Sequence, residues 1–222
     1  MKESVIIVAG GTGTRMKSSM PKQFLELAGK PVIVHTIDKF IEYNPLITIC
    51  VVVHEDYLVH WSVLQSEHYP TQKILTCTGG KTRFHSVKNG LEILPESDVI
   101  GVHDAARPLV DVKVIKQCFL TAREKRAVVP VLPVHESLRK THDGFSVHVN
   151  RAEFRIVQTP QCFNGVFLKT AYQQEFSEEF TDDASVVEAS GVSISMVDGN
   201  KENIKITEPA DLRIAEGLLS SW

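Results

Sequence analysis

No stretch of this 222-residue chain approaches the ~20 consecutive apolar residues of a membrane-crossing helix. The five apolar residues from Val5 to Ala9, ahead of the first glycines, are too few for the core of a secretory signal, so a cytoplasmic protein without membrane contact is expected. Cysteine is sparse: Cys50, Cys77, Cys118 and Cys162 stand far apart with no C-x-x-C, which predicts reduced thiols rather than disulfides. The nine histidines include no H-E-x-x-H or comparable spacing, which argues against a structural zinc site. No Lys/Arg-rich run occurs and the formal net charge is −3, so no nucleic-acid surface is expected, and any bound anion must be met by locally gathered cations. Linkers, repeats and low-complexity segments are missing as well. One domain over residues 1–222 accounts for the chain.

What the sequence does have is a β-branched apolar run, Val5-Ile6-Ile7-Val8-Ala9, breaking into Gly10-Gly11-Thr12-Gly13-Thr14-Arg15-Met16 and then Pro21-Lys22-Gln23-Phe24. The run reads as a buried strand of a parallel sheet. Glycines let the backbone approach a ligand and turn successive N–H groups toward one anion, while Arg15 and Lys22 add charge that amides alone cannot supply to a phosphate chain. We read this stretch as a nucleoside triphosphate loop, against the plainer alternative of a tight turn before a helix. Counting excludes two other phosphate loops. A G-x-G-x-x-G starting at Gly11 meets Met16 at its third glycine position, and no Gly-Lys-Ser/Thr stands in register with this loop.

Strand and helix signals then alternate. Pro31 suits a first helical turn, and Ile33, Ile37, Phe40 and Ile41 share one helical face. Strands are predicted over 47–53, 73–77, 98–102 and 127–134, and helices over 55–67, 84–94 and 112–123. Pro130 and Pro133 mark a bend or an edge. The alternation predicts a doubly wound, mostly parallel α/β sheet, whose ligands bind outside the carboxyl ends of the strands. Two more strand ends carry chemistry there: Gly79-Gly80, and Asp104 with Arg107 in His103-Asp104-Ala105-Ala106-Arg107-Pro108. Their plainer readings are an ordinary βα turn and a helix-capping ion pair.

Past this point the pattern changes. Residues 136–140 and 145–150, joined by His142-Asp143-Gly144, read as a β-hairpin that is either decoration or an arm toward a partner. A helix over 166–176 follows. Thr181-Asp182-Asp183-Ala184-Ser185 opens another, its acids serving as cap chemistry or as metal ligands. Strands are predicted at 194–197 and 203–207 and a last helix over 208–219. Lys205, between Ile204 and Ile206, either faces solvent or is aimed into a cleft.

Together Ala9-Gly10-Gly11-x-Gly13-Thr14-Arg15-Met16, Pro21-Lys22-Gln23, the His103–Pro108 segment, Gln158-Thr159-Pro160-Gln161, Thr181–Ser185 and Asn203-Ile204-Lys205-Ile206-Thr207 resemble the 2-C-methyl-D-erythritol 4-phosphate cytidylyltransferases, a family of polyol-phosphate cytidylyltransferases. The resemblance runs from about Val5 to Leu218 and implies a Rossmann-like nucleotidyltransferase fold with a β-arm at about 135–157 that crosses a homodimer. It implies transfer of CMP from CTP to the polyol phosphate with release of pyrophosphate, assisted by Mg2+ or another divalent cation at Asp104. By position, Arg15 and Lys22 resemble the transition-state stabilisers. Ala9, Gly10, Gly11, Gly13, Thr14, Gly79, Gly80, Ser86 and Ala105 resemble the nucleotide site. Asp104, Arg107, Ser137, Arg151 and Lys205 resemble the acceptor site, Arg151 and Lys205 being also catalytic cations and Arg151 and Ser137 serving the neighbouring subunit. Glu136-Ser137 departs from the Asp-Thr often found in the family's arm, keeping an acid and a hydroxyl but changing their reach. Ribitol 5-phosphate cytidylyltransferases share most of these residues and are the nearest alternative. From other classes, the presence of both Arg15 and Lys22 argues against a non-catalytic nucleotide-binding protein, and the missing third glycine argues against a dinucleotide-dependent oxidoreductase.

Overall fold

The structure, a computed structural model, describes residues 1–11 and 20–220. Its centre is a sheet in which β5 (Ile74–Thr78), β4 (Thr48–Val53), β1 (Glu3–Ala9) and β6 (Val99–Asp104) lie side by side in parallel. Next to β6, β11 (Gln161–Asn164) runs antiparallel and joins it to β7 (Ala127–Pro133). β7 also takes β10 (Arg155–Val157) antiparallel and β12 (Ser195–Asp198) parallel. The doubly wound, mostly parallel sheet expected from the alternation is therefore present, completed by antiparallel β10 and β11.

Alternation along the strands decides the two layers. Val5, Ile7, Ile49 and Val51 point to one face, where α1 (Val32–Tyr43), α2 (Leu58–His68) and α4 (Val112–Lys125) bury Ile37, Trp61 and Phe119. Ile6, Cys50 and Val52 point to the other, covered by α3 (Arg83–Ile93), α5 (Gly165–Ala171) and α6 (Asp183–Ala189). A side chain as enclosed as Phe119 is worth ~3–5 kcal/mol against truncation to alanine. A third, smaller cluster seats α7 (Pro209–Leu219) through Ala215 on Leu27, Val32, Ala106 and Ile206. Leu27 belongs to a short hairpin, β2 (Glu26–Leu27) and β3 (Lys30–Pro31), turned by Ala28 and Gly29 at φ 47° and 81°.

Several expectations are corrected. β7 is no edge despite its prolines, since it has neighbours on both sides and Pro130 contributes its carbonyl to Gln158 N (2.8 Å). Residues 203–207 form no strand. Their alternation arises because Ile204 and Ile206 pack into the third cluster, while Ile206 N alone reaches across to Ala106 O (2.9 Å). The helix after Val166 stops at Ala171, where the chain tightens into the turn Gln173 N→Thr170 O (3.0 Å). The helix at 55–67 opens as a 3-10 turn, with His54 Nδ1 accepting from Asp56 N (3.3 Å).

The hairpin is real but shorter than expected: β8 (Arg139–His142) and β9 (Phe145–His148) meet through Asp143 and Gly144, both at positive φ (45° and 81°). Every residue of the two strands is exposed.

Candidate active site

The sheet register brings four strand ends to one rim. Ala9 lies opposite Val53, Val53 opposite Thr78, and Val8 opposite Asp104, so the following residues Gly10, His54, Gly79 and Ala105 emerge together. They frame a cleft of about 540 Å³ whose lining includes Gly11, Lys22, Gly80, Ser86, Asp104 and Lys205. Gly10 and Gly79 cross at close range: a Cβ on Gly79 would stand 3.4 Å from Gly10 Cα, and a Cβ on either would stand 3.2 Å from Ser86 Oγ. A side chain on either glycine would crowd Ser86 and the opposite loop, so glycine eases that approach. Ser86 Oγ accepts from Gly80 N (3.0 Å) and donates to Thr82 O (2.9 Å), tying the second loop to the start of α3. Gln23, buried, donates from Nε2 to Ala9 O (2.7 Å) and Gly11 O (3.0 Å), which holds the first loop against the segment that carries Lys22.

Asp104 is the centre of charge. Its Oδ2 receives Lys205 Nζ (3.0 Å) and Arg107 Nε (3.2 Å), and Arg83 Nε stands 3.7 Å from Oδ1. Burial by itself would raise the Asp104 pKa, but these three cations outweigh it and hold the carboxyl well below the usual carboxylate range. Beneath it, His103 is buried and its pKa is pushed down to about 4, chiefly by burial. Arg107 O, 3.1 Å from His103 Nε2, can only accept, so that nitrogen carries the proton. Nδ1 then accepts from the Thr159 hydroxyl (3.0 Å), whose oxygen in turn accepts Asp104 N–H (3.2 Å). On the other side, Thr36 Oγ1 donates to Ala105 O (2.9 Å), so the backbone on either side of Asp104 is anchored by a side chain.

Of the residues singled out in the sequence, Ala9, Gly10, Gly11, Lys22, Gly80, Ser86, Asp104, Ala105 and Lys205 line the cleft, with Gly79 beside Gly10. Gly13, Thr14 and Arg15 lie outside the described residues. Arg107 sits behind the cleft lining and joins Asp104 to Asn203 O (2.9 Å), locking residues 203–207 against β6. Ser137 and Arg151 do not line this cleft. Both are exposed at the base of the hairpin, where Arg151 Nη1 donates to His135 O. Asp182 is the N-cap of α6, accepting from Ser185 N (2.9 Å). Asp183 is instead fully buried in a two-pronged pair with Arg83 (2.9 and 2.7 Å) and accepts from the Tyr172 hydroxyl (2.6 Å). Arg83, which lines the cleft, and Thr159 are among the residues at the site missed by the residue-by-residue reading. The sequence signal for Arg83, an arginine three positions past a glycine pair, is visible only once that pair is placed on the cleft rim.

An open parallel sheet, two glycine loops crossing at its carboxyl ends and a carboxylate ringed by cations beside them define an α/β nucleotidyltransferase. Residues 4–221 match the family described as IspD, 2-C-methyl-D-erythritol 4-phosphate cytidylyltransferase, and the chain belongs to that family. It is 50% identical over 219 residues to the enzyme of that name from Bacteroides thetaiotaomicron, covering 99% of this chain and 100% of the relative. A Bacteroides fragilis protein of the same name is 48% identical over 219 residues, again covering 99% and 100%. Among solved structures, the 4-diphosphocytidyl-2C-methyl-D-erythritol synthase of Anaerococcus prevotii superposes with a TM-score of 0.85 at 25% identity, over 99% of this chain and 96% of that one.

Proposed function

We propose that the chain transfers CMP from CTP to 2-C-methyl-D-erythritol 4-phosphate, releasing pyrophosphate, as a step of non-mevalonate isoprenoid synthesis in the cytoplasm. The observation that carries this reading is the placement of Asp104, ringed by Arg83, Arg107 and Lys205, on the same cleft as the Gly10–Gly79 crossing and Lys22. An acceptor phosphate oxygen attacks the α-phosphorus of CTP. A new P–O bond forms, the bond from that phosphorus to the bridging oxygen of the β-phosphate breaks, and pyrophosphate leaves with the electron pair. The acceptor oxygen is already ionised at neutral pH, so the protein need not supply a base. Its task is to bring two anions together and to stabilise charge on a five-coordinate phosphorus. Lys22, Arg15 and the first glycine loop are assigned to the triphosphate, the Gly79-Gly80 turn and Ser86 to cytosine and ribose, and Lys205 to the acceptor phosphate.

Among the described residues no group of three or more His, Cys, Asp or Glu side chains could hold a metal by itself. Oδ2 of Asp104 is taken by Lys205 and Arg107, so Oδ1, with Arg83 Nε no closer than 3.7 Å, is the oxygen left to meet magnesium that arrives with the triphosphate, whose phosphate oxygens and water would fill the rest of its shell. Bound there, the ion would neutralise phosphate charge.

Arg151 and Ser137 lie away from their own chain's cleft, on an arm that exposes Phe145 (81%), Val147 (60%) and Ile156 (48%). Apolar side chains left open in this way suit a homodimer in which each arm completes the partner's acceptor site. The test is pyrophosphate release with CTP and magnesium, offering methylerythritol 4-phosphate or ribitol 5-phosphate. Release with the first, abolished by a chelator, is expected. Preference for ribitol phosphate would reassign the acceptor, and no release with either would leave a nucleotide-binding protein.

A further inference from the structure

We propose that Arg83 is the positioning residue for Asp104, and that the buried Asp183–Tyr172 pair exists to aim it. This inference rests on the functional reading above and adds a residue to it. Arg83 opens α3 directly after the Gly79–Thr82 loop, and the loop is fixed to that helix by Ser86 and by the Thr82 cap on His85 N. From there the guanidinium spans three elements. Both terminal nitrogens engage Asp183 of α6, and Nε faces Oδ1 of Asp104 at the end of β6.

The two carboxylates are unequal. Asp183 is inaccessible to solvent and pinned by the Tyr172 hydroxyl, so the fork on it is rigid. The Nε–Oδ1 separation of 3.7 Å exceeds a hydrogen bond, so this is the looser of the two contacts. The opposite oxygen of Asp104 takes Lys205 and Arg107, so a cation stands on each side of the carboxylate and its plane is defined. Without Arg83 on the Oδ1 side, Asp104 would be free to turn toward the remaining two cations and draw Lys205 away from the acceptor phosphate. An ordinary structural ion pair would have needed only the Asp183 fork. The third nitrogen, aimed at a site carboxylate from the nucleotide loop, has no packing purpose.

Removing either charge from a buried pair risks unfolding, so the test uses Arg83→Lys and Tyr172→Phe, which keep charge and volume. Lysine retains the cation but cannot fork onto Asp183 while also facing Asp104. CTP affinity is measured by calorimetry without acceptor. Acceptor affinity is measured by calorimetry with a CTP analogue whose α,β-bridging oxygen is a methylene group, and kcat and KM by pyrophosphate release. CTP affinity should stay within about threefold of wild type. Acceptor kcat/KM should fall about 10- to 100-fold in Arg83→Lys, with weaker acceptor binding to the analogue complex and a smaller change in the same direction in Tyr172→Phe. Unchanged acceptor binding in Arg83→Lys, or equal losses for CTP and acceptor, would overturn the assignment. Failure of the functional reading is separable, because it shows in the wild-type chain as absent turnover.

Discussion

His103 shows how one buried ring ties the site to pH. Its folded pKa of about 4 lies below the ordinary imidazole value of 6.5, because burial disfavours the imidazolium. Below pH 6.5 the unfolded chain therefore takes up a proton that the folded chain refuses. The associated stability is fully present above that pH and is lost as the pH falls toward 4, by an amount on the order of 3 kcal/mol. Urea midpoints between pH 7 and 4 should fall steeply in the wild type and less steeply in His103→Gln, and parallel slopes would contradict the account. Asp104 works in the same direction at lower pH, since a carboxyl held below its ordinary range loses its contribution only under strong acid. Gly199 is a second residue with a sharp expectation. Gln158 donates from Nε2 to Asn200 O (3.0 Å) and Asn203 O (3.2 Å), while its buried Oε1 has no conventional partner and faces the Cα of Gly199. A methyl group on Gly199 would overlap that oxygen, so Gly199→Ala should cost about 1–3 kcal/mol in urea unfolding. It should also raise the acceptor KM, because Asn203 O is the anchor of Arg107.

At the scale of elements, the hairpin is the exception. The central strands of the large sheet are stabilised by two packed layers, but β8 and β9 form a separate sheet and pair only with each other, and an isolated two-stranded ribbon is marginal in water. Phe145 and Val147 share one face of it and lie open. If a second copy covers that face, Phe145→Asp should turn a dimer into a monomer in sedimentation while leaving thermal stability of the main sheet nearly unchanged. A monomeric wild type at high concentration would remove the reason for the arm. The hairpin was legible in the sequence because Asp-Gly between two short runs is a strong turn signal, and the structure puts both residues at positive φ. The stretch 203–207 was misread for the opposite reason. Ile204 and Ile206 alternate with Lys205 as a strand would, yet they answer to a small cluster under α7 and not to a ladder.

For the whole molecule, the question is whether a site is made by one chain or two. Lys22 lines its own cleft, whereas Arg151 does not. Arg151→Ala and Lys22→Ala homodimers should each be nearly inactive, the lysine variant losing several kcal/mol of transition-state stabilisation. A purified heterodimer of the two should recover about half the wild-type rate, since one of its two sites then has both cations. No recovery would mean that each chain builds its site alone.

Local sequence determined much of this protein: the strand–helix alternation, the first and second glycine loops, Asp104 at a strand's end and the hairpin turn. Each is written in neighbouring residues through periodicity, β-branching or the backbone freedom of glycine. Only the tertiary structure decided which strand ends meet. Gly10 crosses Gly79 because β1 and β5 flank β4, and Asp104 gathers Arg83 and Lys205 from distant parts of the chain. The same is true of Asp183, whose sequence neighbours made it look like cap or metal chemistry. Its partner Arg83 lies 100 residues away, and no local pattern records a contact that forms only when two layers close on the same sheet.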